Sequence, residues 1–171
     1  LFHLSLHEPQ RALAVYDAHV RSVRSEEVSD LIDASALLWR IALSGSHVGE
    51  RWSELADAWG ARIDDRYCSF SDVHAMLAFV GADDRDRASR LEAVLRESAR
   101  RNSRHGWTTR QLGLPACRAL RAHRRGDDAL AIRLLAALPP IAHRLGGSHA
   151  QRDVLHLTLQ HAVERARRPA R

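Results

Sequence analysis

A polar turn followed by an apolar helical stripe recurs four times along the chain, and it constrains the fold more than any other feature. The residue five positions after each turn is an anchor for close packing, and the four anchors are Ala12, Trp52, Ala88 and Ala131. They are 40, 36 and 43 residues apart, and seven of the eight residues three and seven positions after them are apolar. One helix pair cannot bury such a stripe alone, so pairs stack. The pattern predicts a helix-hairpin solenoid of tetratricopeptide-repeat type; the alternative is an ordinary helical bundle.

Helical periodicity covers nearly the whole sequence, whereas no alternation typical of strands is found. We expect an all-α domain over residues 1–171, with about nine helices and no sheet. The predicted units are residues 1–26, 27–66, 67–103 and 104–145, with a final helix over 148–167. The apolar start at Leu1 and the single methionine, Met76, indicate the C-terminal part of a longer protein.

The charge of the chain is unevenly placed. All 26 basic residues are arginines, and with 21 acids the net charge is +5. Residues 1–83 hold 7 arginines and 13 acids, a balance of −6, whereas residues 84–171 hold 19 arginines and 8 acids, a balance of +11. A basic half is compatible with nucleic acid, but the arginines do not alternate with aromatic residues and no groove-reading motif is present. We interpret the complete replacement of lysine by arginine as codon bias, and nucleic acid is not the expected partner.

Several classes of protein are excluded by absent patterns. No apolar run reaches the roughly 18 residues of a membrane span, and no signal peptide is recognisable, so a cytoplasmic location and no membrane partner are expected. Two cysteines cannot form a disulfide framework. His74, His149 and Asp153 offer nitrogen and oxygen ligands, but no metal-binding motif accompanies them, so no metal and no cofactor are predicted. No nucleophile motif is found either, so an enzyme is not the favoured interpretation.

Asp72 and His74 open a short apolar stretch, residues 72–80, that is predicted to be helical. One interpretation is structural: Asp72 caps the helix through its first amides, and His74 is a satisfied interior histidine. The other interpretation is that the pair contributes to a polar pocket between helices.

A second polar stretch opens the last predicted helix. The two glycines of the turn 146–148 permit backbone conformations closed to other residues, and Ser148 follows as the helix cap. His149 and Asp153 are four residues apart and share one helix face. The structural interpretation is a turn in which this pair locks neighbouring helices together.

The functional interpretation of the same stretch is a binding site. Gln151 and Arg152 point away from the His149–Asp153 face, and an arginine near a helix N-terminus can hold a phosphate or a carboxylate. His143 lies on the other side of the turn and can join either arrangement.

Four stretches resemble the tetratricopeptide repeat protein 38 family. They are Leu37-Leu-Trp-Arg-Ile-Ala-Leu43, Arg51-Trp-Ser-Glu-Leu-Ala-Asp-Ala-Trp59, Phe70-Ser-Asp-Val-His-Ala-Met-Leu-Ala-Phe79 and Gly146-Gly-Ser-His-Ala-Gln-Arg-Asp-Val154. The resemblance covers nearly the whole chain and corresponds to the C-terminal part of a family protein. It implies an α-helical superhelix and no particular reaction. Ser71 departs from the family pattern, in which we expect Asn.

Two functions are therefore carried forward. The first is a protein-interaction scaffold that binds a protein or peptide on a concave surface, where polar residues of successive first helices converge. The second is a small-ligand or enzymatic site made of Asp72 and His74 together with the stretch from His149 to Asp153. The second function requires folding to bring both stretches within about 15 Å, the reach of one small ligand.

Overall fold

The computed structural model of the chain describes residues 2–5 and 7–168, and every regular element in this part is helical. The predicted all-α fold without a sheet is confirmed for these residues. The α-helices are α1 (Phe2–Ser5), α2 (Pro9–Val15), α3 (Val28–Leu43), α4 (Arg51–Gly60), α5 (Ser69–Gly81), α6 (Arg85–Ala99), α7 (Arg104–Thr108), α8 (Leu114–Arg124), α9 (Asp128–Ala136) and α10 (His149–Arg167).

Shorter helical segments extend or connect the α-helices. Residues Tyr16–Val20 continue α2 as a π-helix, Thr109–Gly113 form a second π-helix before α8, and Pro139–Leu145 form a 3-10 segment between α9 and α10. None of the helices described is both long enough and apolar enough to cross a membrane.

Three helix joints share one backbone turn. The chain is left-handed at His7, Asp83 and Gly126, with φ of +58°, +57° and +80°. In each turn the amide of this residue donates to the carbonyl three residues back, and the next amide donates to the carbonyl five residues back. This pair of bonds satisfies the last carbonyls of a helix. The residue five positions further on is a buried alanine in every case: Ala12, Ala88 and Ala131.

The first unit departs from the predicted stripe. We expect Ala12, Val15, Tyr16 and His19 on one buried face, but only Ala12 and Tyr16 are buried, and Val15 and His19 are exposed. His19 is exposed because it lies in the π-helical segment Tyr16–Val20, in which the amide of Arg21 donates to the carbonyl of Tyr16, five residues back. The wider turn shifts the register after Tyr16, so that Val20 packs against the core and His19 does not.

Helix α5 lies at the centre of the molecule. Every residue from Ser69 to Val80 is buried, because α3, α4, α6 and α8 all pack against this helix. Its apolar composition permits burial on all sides, in contrast to helices with a single apolar stripe. The helix begins at Ser69, three residues before the predicted start at Asp72.

Helix α10 packs on α9 and returns to α3, far away in the sequence. The indole Nε1 of Trp39 donates to Thr158 Oγ1 at 2.9 Å, and both side chains are buried. The Trp39 ring lies 5.8 Å from the ring of His123 in α8. The inner sides of α3 and α8 are thus covered by α10. The expectation that polar residues of the first helices line an open concave surface is wrong for α5, since its residues from Ser69 to Val80 are buried.

Ion pairs join successive units, and most of them connect an acid of one unit to an arginine of the next. The acid usually lies earlier in the chain and the arginine later, as in Asp17–Arg51, Asp57–Arg87, Asp64–Arg90, Glu92–Arg118 and Asp128–Arg165. Most of these side chains are partly exposed, so each pair adds little to stability and mainly favours one alignment of neighbouring units.

The bond between Trp39 and Thr158 tests the docking of α10. Thr158→Val keeps the side-chain shape but leaves a buried indole N–H without an acceptor, so we expect a loss of about 1–3 kcal/mol in the free energy of unfolding. Thr108→Val is the matched control, because that hydroxyl bonds only within its own helix, to the carbonyl of Arg104; its effect should stay within about 0.5 kcal/mol. Urea unfolding measures the free energy of unfolding of both variants. An equal decrease in the two variants would contradict a stabilising contact between α3 and α10.

Candidate functional site

Asp72 and His74 lie on different sides of α5. Asp72 lines a small void between α5 and the elements around it, together with Trp59, Tyr67 and Leu91. His74 instead packs with the ring of Phe70, at 4.5 Å between ring centroids, and lies where the charge of Arg40 in α3 affects it. The two residues therefore do not form one polar pocket.

The interpretation of Asp72 as a helix cap is wrong. Because α5 begins at Ser69, Asp72 lies beyond the first residues of the helix, and its own amide donates to the carbonyl of Cys68. Its Oδ2 atom is buried without a hydrogen-bond partner among the residues described. Removal from water raises the pKa of Asp72 from the ordinary 3.8 to about 7.

His74 is only half satisfied as an interior histidine. Its Nδ1 lies 2.8 Å from the carbonyl oxygen of Phe70, one turn earlier, whereas Nε2 is buried and meets no partner in the described part of the chain. Burial lowers the pKa of His74 to about 4, and the positive charge of Arg40 acts in the same direction. The imidazole is therefore neutral at physiological pH.

Ser148 caps α10 as predicted. Its Oγ accepts the Gln151 amide at 3.2 Å, and Gln151 Oε1 accepts the Ser148 amide at 2.8 Å, which forms a reciprocal capping box. The Gln151 side chain also donates through Nε2 to Asp33 Oδ1 in α3, at 3.0 Å. Gln151 is thus a cap and a bridge to α3, and it points away from the His149–Asp153 face.

A cleft of about 450 Å³ opens between α9, the segment Pro139–Leu145 and α10. We call it the histidine cleft. Its polar rim consists of His143, His149, Arg152, Asp153 and His156. Apolar residues form the remainder of its lining: Leu135, Leu138, Pro139, Ala142, Leu155 and Leu159. An apolar lining with a few polar groups at the edge is typical of small-molecule sites.

The structure therefore brings four of the seven candidate residues together. His143, His149, Arg152 and Asp153 share the histidine cleft, and His156 joins them one turn beyond Asp153. Asp72, His74 and Gln151 lie outside the residues that line it. The two stretches do touch at Gly147, where a Cβ atom would come within 2.2 Å of the Phe70 ring. Contact between the stretches thus occurs through packing, not through a shared polar site.

Arg152 supports the turn before α10. Its Nη1 donates to the carbonyl oxygens of Gly146, at 3.0 Å, and Gly147. Because Nη1 already donates to these two carbonyls, the Arg152 side chain is fixed at the rim of the cleft. The same bonds stabilise the turn at Gly146 and Gly147. Nowhere in the described ranges do three histidine, cysteine or acidic side chains lie where they could share a metal ion.

Sequence reasoning missed a set of polar residues beneath α10. Arg40 is buried in α3, donates to the carbonyls of Ala36 and Ala150, and so ties α3 to the start of α10. His123 Nε2 lies 2.9 Å from His161 Nδ1, and burial lowers the pKa of His123 to about 4. Arg40 lies opposite the apolar stripe of Leu31, Leu38 and Ile41 on its helix, so no local pattern marks its burial. No local pattern marks the histidine pair, since its members are 38 residues apart.

A comparison with protein-family models found no match, and no solved structure matches the chain.

The buried carboxyl of Asp72 makes stability depend on pH. Its folded pKa of about 7 exceeds the unfolded value of 3.8, so the unfolded chain releases this proton first and stability falls as the pH rises from 3.8 towards 7. Asp72→Asn removes the ionisation, so the variant should gain stability over the natural chain by about 1.4 kcal/mol per pH unit across this window.

Urea unfolding at about pH 4 and about pH 8, on either side of this window, measures the difference. The exposed Asp30→Asn is the matched control and should show no such trend. An advantage of Asp72→Asn that is equal at both pH values would contradict a protonated Asp72 in the folded protein.

Proposed function

We propose that the chain is a protein-interaction scaffold built from divergent tetratricopeptide-type helix pairs, as its resemblance to the tetratricopeptide repeat protein 38 family implies. The observation that carries the proposal is the turn repeated at His7, Asp83 and Gly126, each followed by a buried alanine. Repeated units of this kind present equivalent surfaces side by side, and extended binding surfaces are their usual use.

The packing of the helices supports this arrangement. Helices α3, α5 and α8 lie side by side, and each also packs on the helix that follows it: α4, α6 and α9. Stacked pairs have this neighbour pattern. Helix α10 departs from it, because it covers the inner side and reaches α3. We therefore place partner binding on the exposed edges between units, and not on the inner side.

The histidine cleft favours a second function, the binding of a small molecule. Its apolar lining and the rim formed by His143, His149 and Asp153 suit a compact ligand with an apolar body and a hydrogen-bonding group. This function needs only the histidine cleft and not the residues of α5.

Site-specific photo-crosslinking in the source cell separates the two functions. A photoreactive residue replaces Ser89, on the exposed edge between α6 and α8, or His149, at the histidine cleft, in the full-length protein. A scaffold should give a discrete protein adduct from Ser89. The absence of protein adducts from both positions would contradict a scaffold.

The small-molecule alternative has its own measurement. Native mass spectrometry of the protein purified from its source should then show a low-mass adduct that is lost in His149→Ala and Asp153→Ala. Gln151→Ala is the control, because Gln151 belongs to the same helix start but lies outside the residues that line the cleft. If all three variants keep the adduct, its binding site is not the histidine cleft.

A further inference from the structure

A second groove, of about 370 Å³, opens where the C-terminal ends of α5 and α8 meet the start of α6. Buried side chains of Phe79, Val80 and Ala88 form its floor. Arg121, Arg124 and Arg125 line the side that belongs to α8. We call it the arginine groove. It lies between two turns of the repeated type, those of Asp83 and Gly126, and so belongs to the edge between two units.

Four arginines line this groove: Arg85 pairs with Asp83, Arg121 is held in place, and Arg124 and Arg125 are free. Arg121 donates to Ser89 Oγ at 3.1 Å and also pairs with Glu92 in α6. Arg124 and Arg125 are exposed, and neither makes an ion pair with any residue that the structure describes. The groove thus combines an apolar floor with two guanidinium groups that lack a counter-charge.

The ion pairs in other parts of the stack indicate that Arg124 and Arg125 lack an acidic partner. Along the stack, an acid of one unit usually meets an arginine of the next, and Glu92 serves both Arg118 and Arg121 in this way. Arg124 and Arg125 continue the same helix beyond the reach of this acid. A carboxylate supplied from outside the chain would complete the pattern, since charge complementarity steers and selects partners.

The opposite side of the groove disfavours a nucleic acid. Asp83 and Asp84 lie there; Asp83 pairs with Arg85, and Asp84 caps α6 and accepts from Arg87. Two carboxylates repel a nucleic acid, whose phosphates follow one another without a gap. A peptide with only a few acidic residues can place them away from these carboxylates. Phe79 is fully buried, so the groove offers no exposed ring on which a base could stack.

We propose that the arginine groove binds a short acidic segment of a partner protein, with carboxylates on Arg124 and Arg125 and one aliphatic side chain over Val80 and Ala88. This inference rests on the proposed scaffold function and names the partner chemistry of that function. The volume of the groove suits a segment of a few residues, because pockets for small ligands range from about 300 to 1,000 Å³.

Fluorescence anisotropy with the full chain tests the proposal. The probe is a fluorescein-labelled peptide, Gly-Ser-Asp-Glu-Leu-Asp-Asp-Gly-Ser, and two control peptides replace its acids by amides or its leucine by serine. We expect the probe to bind and both control peptides to bind at least about tenfold more weakly, which corresponds to about 1.4 kcal/mol.

Charge reversal then locates the site. Arg124→Glu/Arg125→Glu should weaken the probe at least about tenfold. Arg100→Glu/Arg104→Glu is the matched control, because it changes the net charge equally at exposed arginines that line neither groove. Equal weakening by both double variants would mean attraction by overall charge and would overturn the proposal.

A steric variant keeps the test independent of charge and of any folding defect in the double variant. Ser89→Trp fills the arginine groove without changing the net charge and should also weaken the probe, whereas Ser53→Trp, at an exposed position on α4, should not. Unchanged binding to Ser89→Trp overturns the proposal. A second outcome also overturns the proposal: a single-stranded DNA of equal charge binds the protein more tightly than the peptide does, and Arg124→Glu/Arg125→Glu abolishes this DNA binding.

This result is distinguishable from failure of the scaffold function. If the peptide does not bind but crosslinking at Ser89 still captures a protein, the scaffold stands and the acidic segment is the wrong partner chemistry. If neither is seen, both the scaffold and its acidic partner are overturned.

Discussion

The complete burial of α5 is the constraint on which the rest of this structure depends. A helix that is buried from Ser69 to Val80 needs neighbours on every side, and α3, α4, α6 and α8 supply them. Polar groups within such a helix have little access to water. This explains why the pKa of the Asp72 carboxyl is raised to about 7 and the pKa of the His74 imidazole is lowered to about 4, although they lie on different sides of the helix.

The docking of α10 depends on polar contacts as much as on apolar ones. Thr158, His161 and the carbonyl of Ala150 meet Trp39, His123 and Arg40, and each of these contacts has a donor or acceptor that is buried or half-buried. Buried polar pairs tolerate little misalignment, because a shifted helix would leave them unsatisfied. They therefore select one position for α10 across the inner side, where apolar packing alone would permit several.

Local sequence signals predicted the turns between helices, but they did not predict how α10 packs back onto α3. A polar turn with an anchor five residues on is a local pattern, so the buried alanines and the cap at Ser148 could be recognised from sequence. The π-helical register after Tyr16 has no such signal. The alternative in which Asp72 and His74 share one pocket conflicts with helix geometry, because two residues separated by two positions point about 200° apart. Trp39 and Thr158 are 119 residues apart, and only tertiary packing relates them.

The uneven distribution of charge along the chain is related to the ion pairs between units. Among the described residues, six of the eight ion pairs between units join an earlier acid to a later arginine, whereas Arg21–Glu54 and Arg66–Glu97 run in the other direction. Codon bias explains why every basic residue is arginine, but it does not explain why the acids are concentrated in residues 1–83. Pairing between units gives two of these acids a partner in the basic half, since Asp57 and Asp64 pair with Arg87 and Arg90 of the next unit. The basic half thus holds arginines that are paired across units, such as Arg87 and Arg165, and exposed ones that line a groove without an ion pair among the described residues, Arg124 and Arg125.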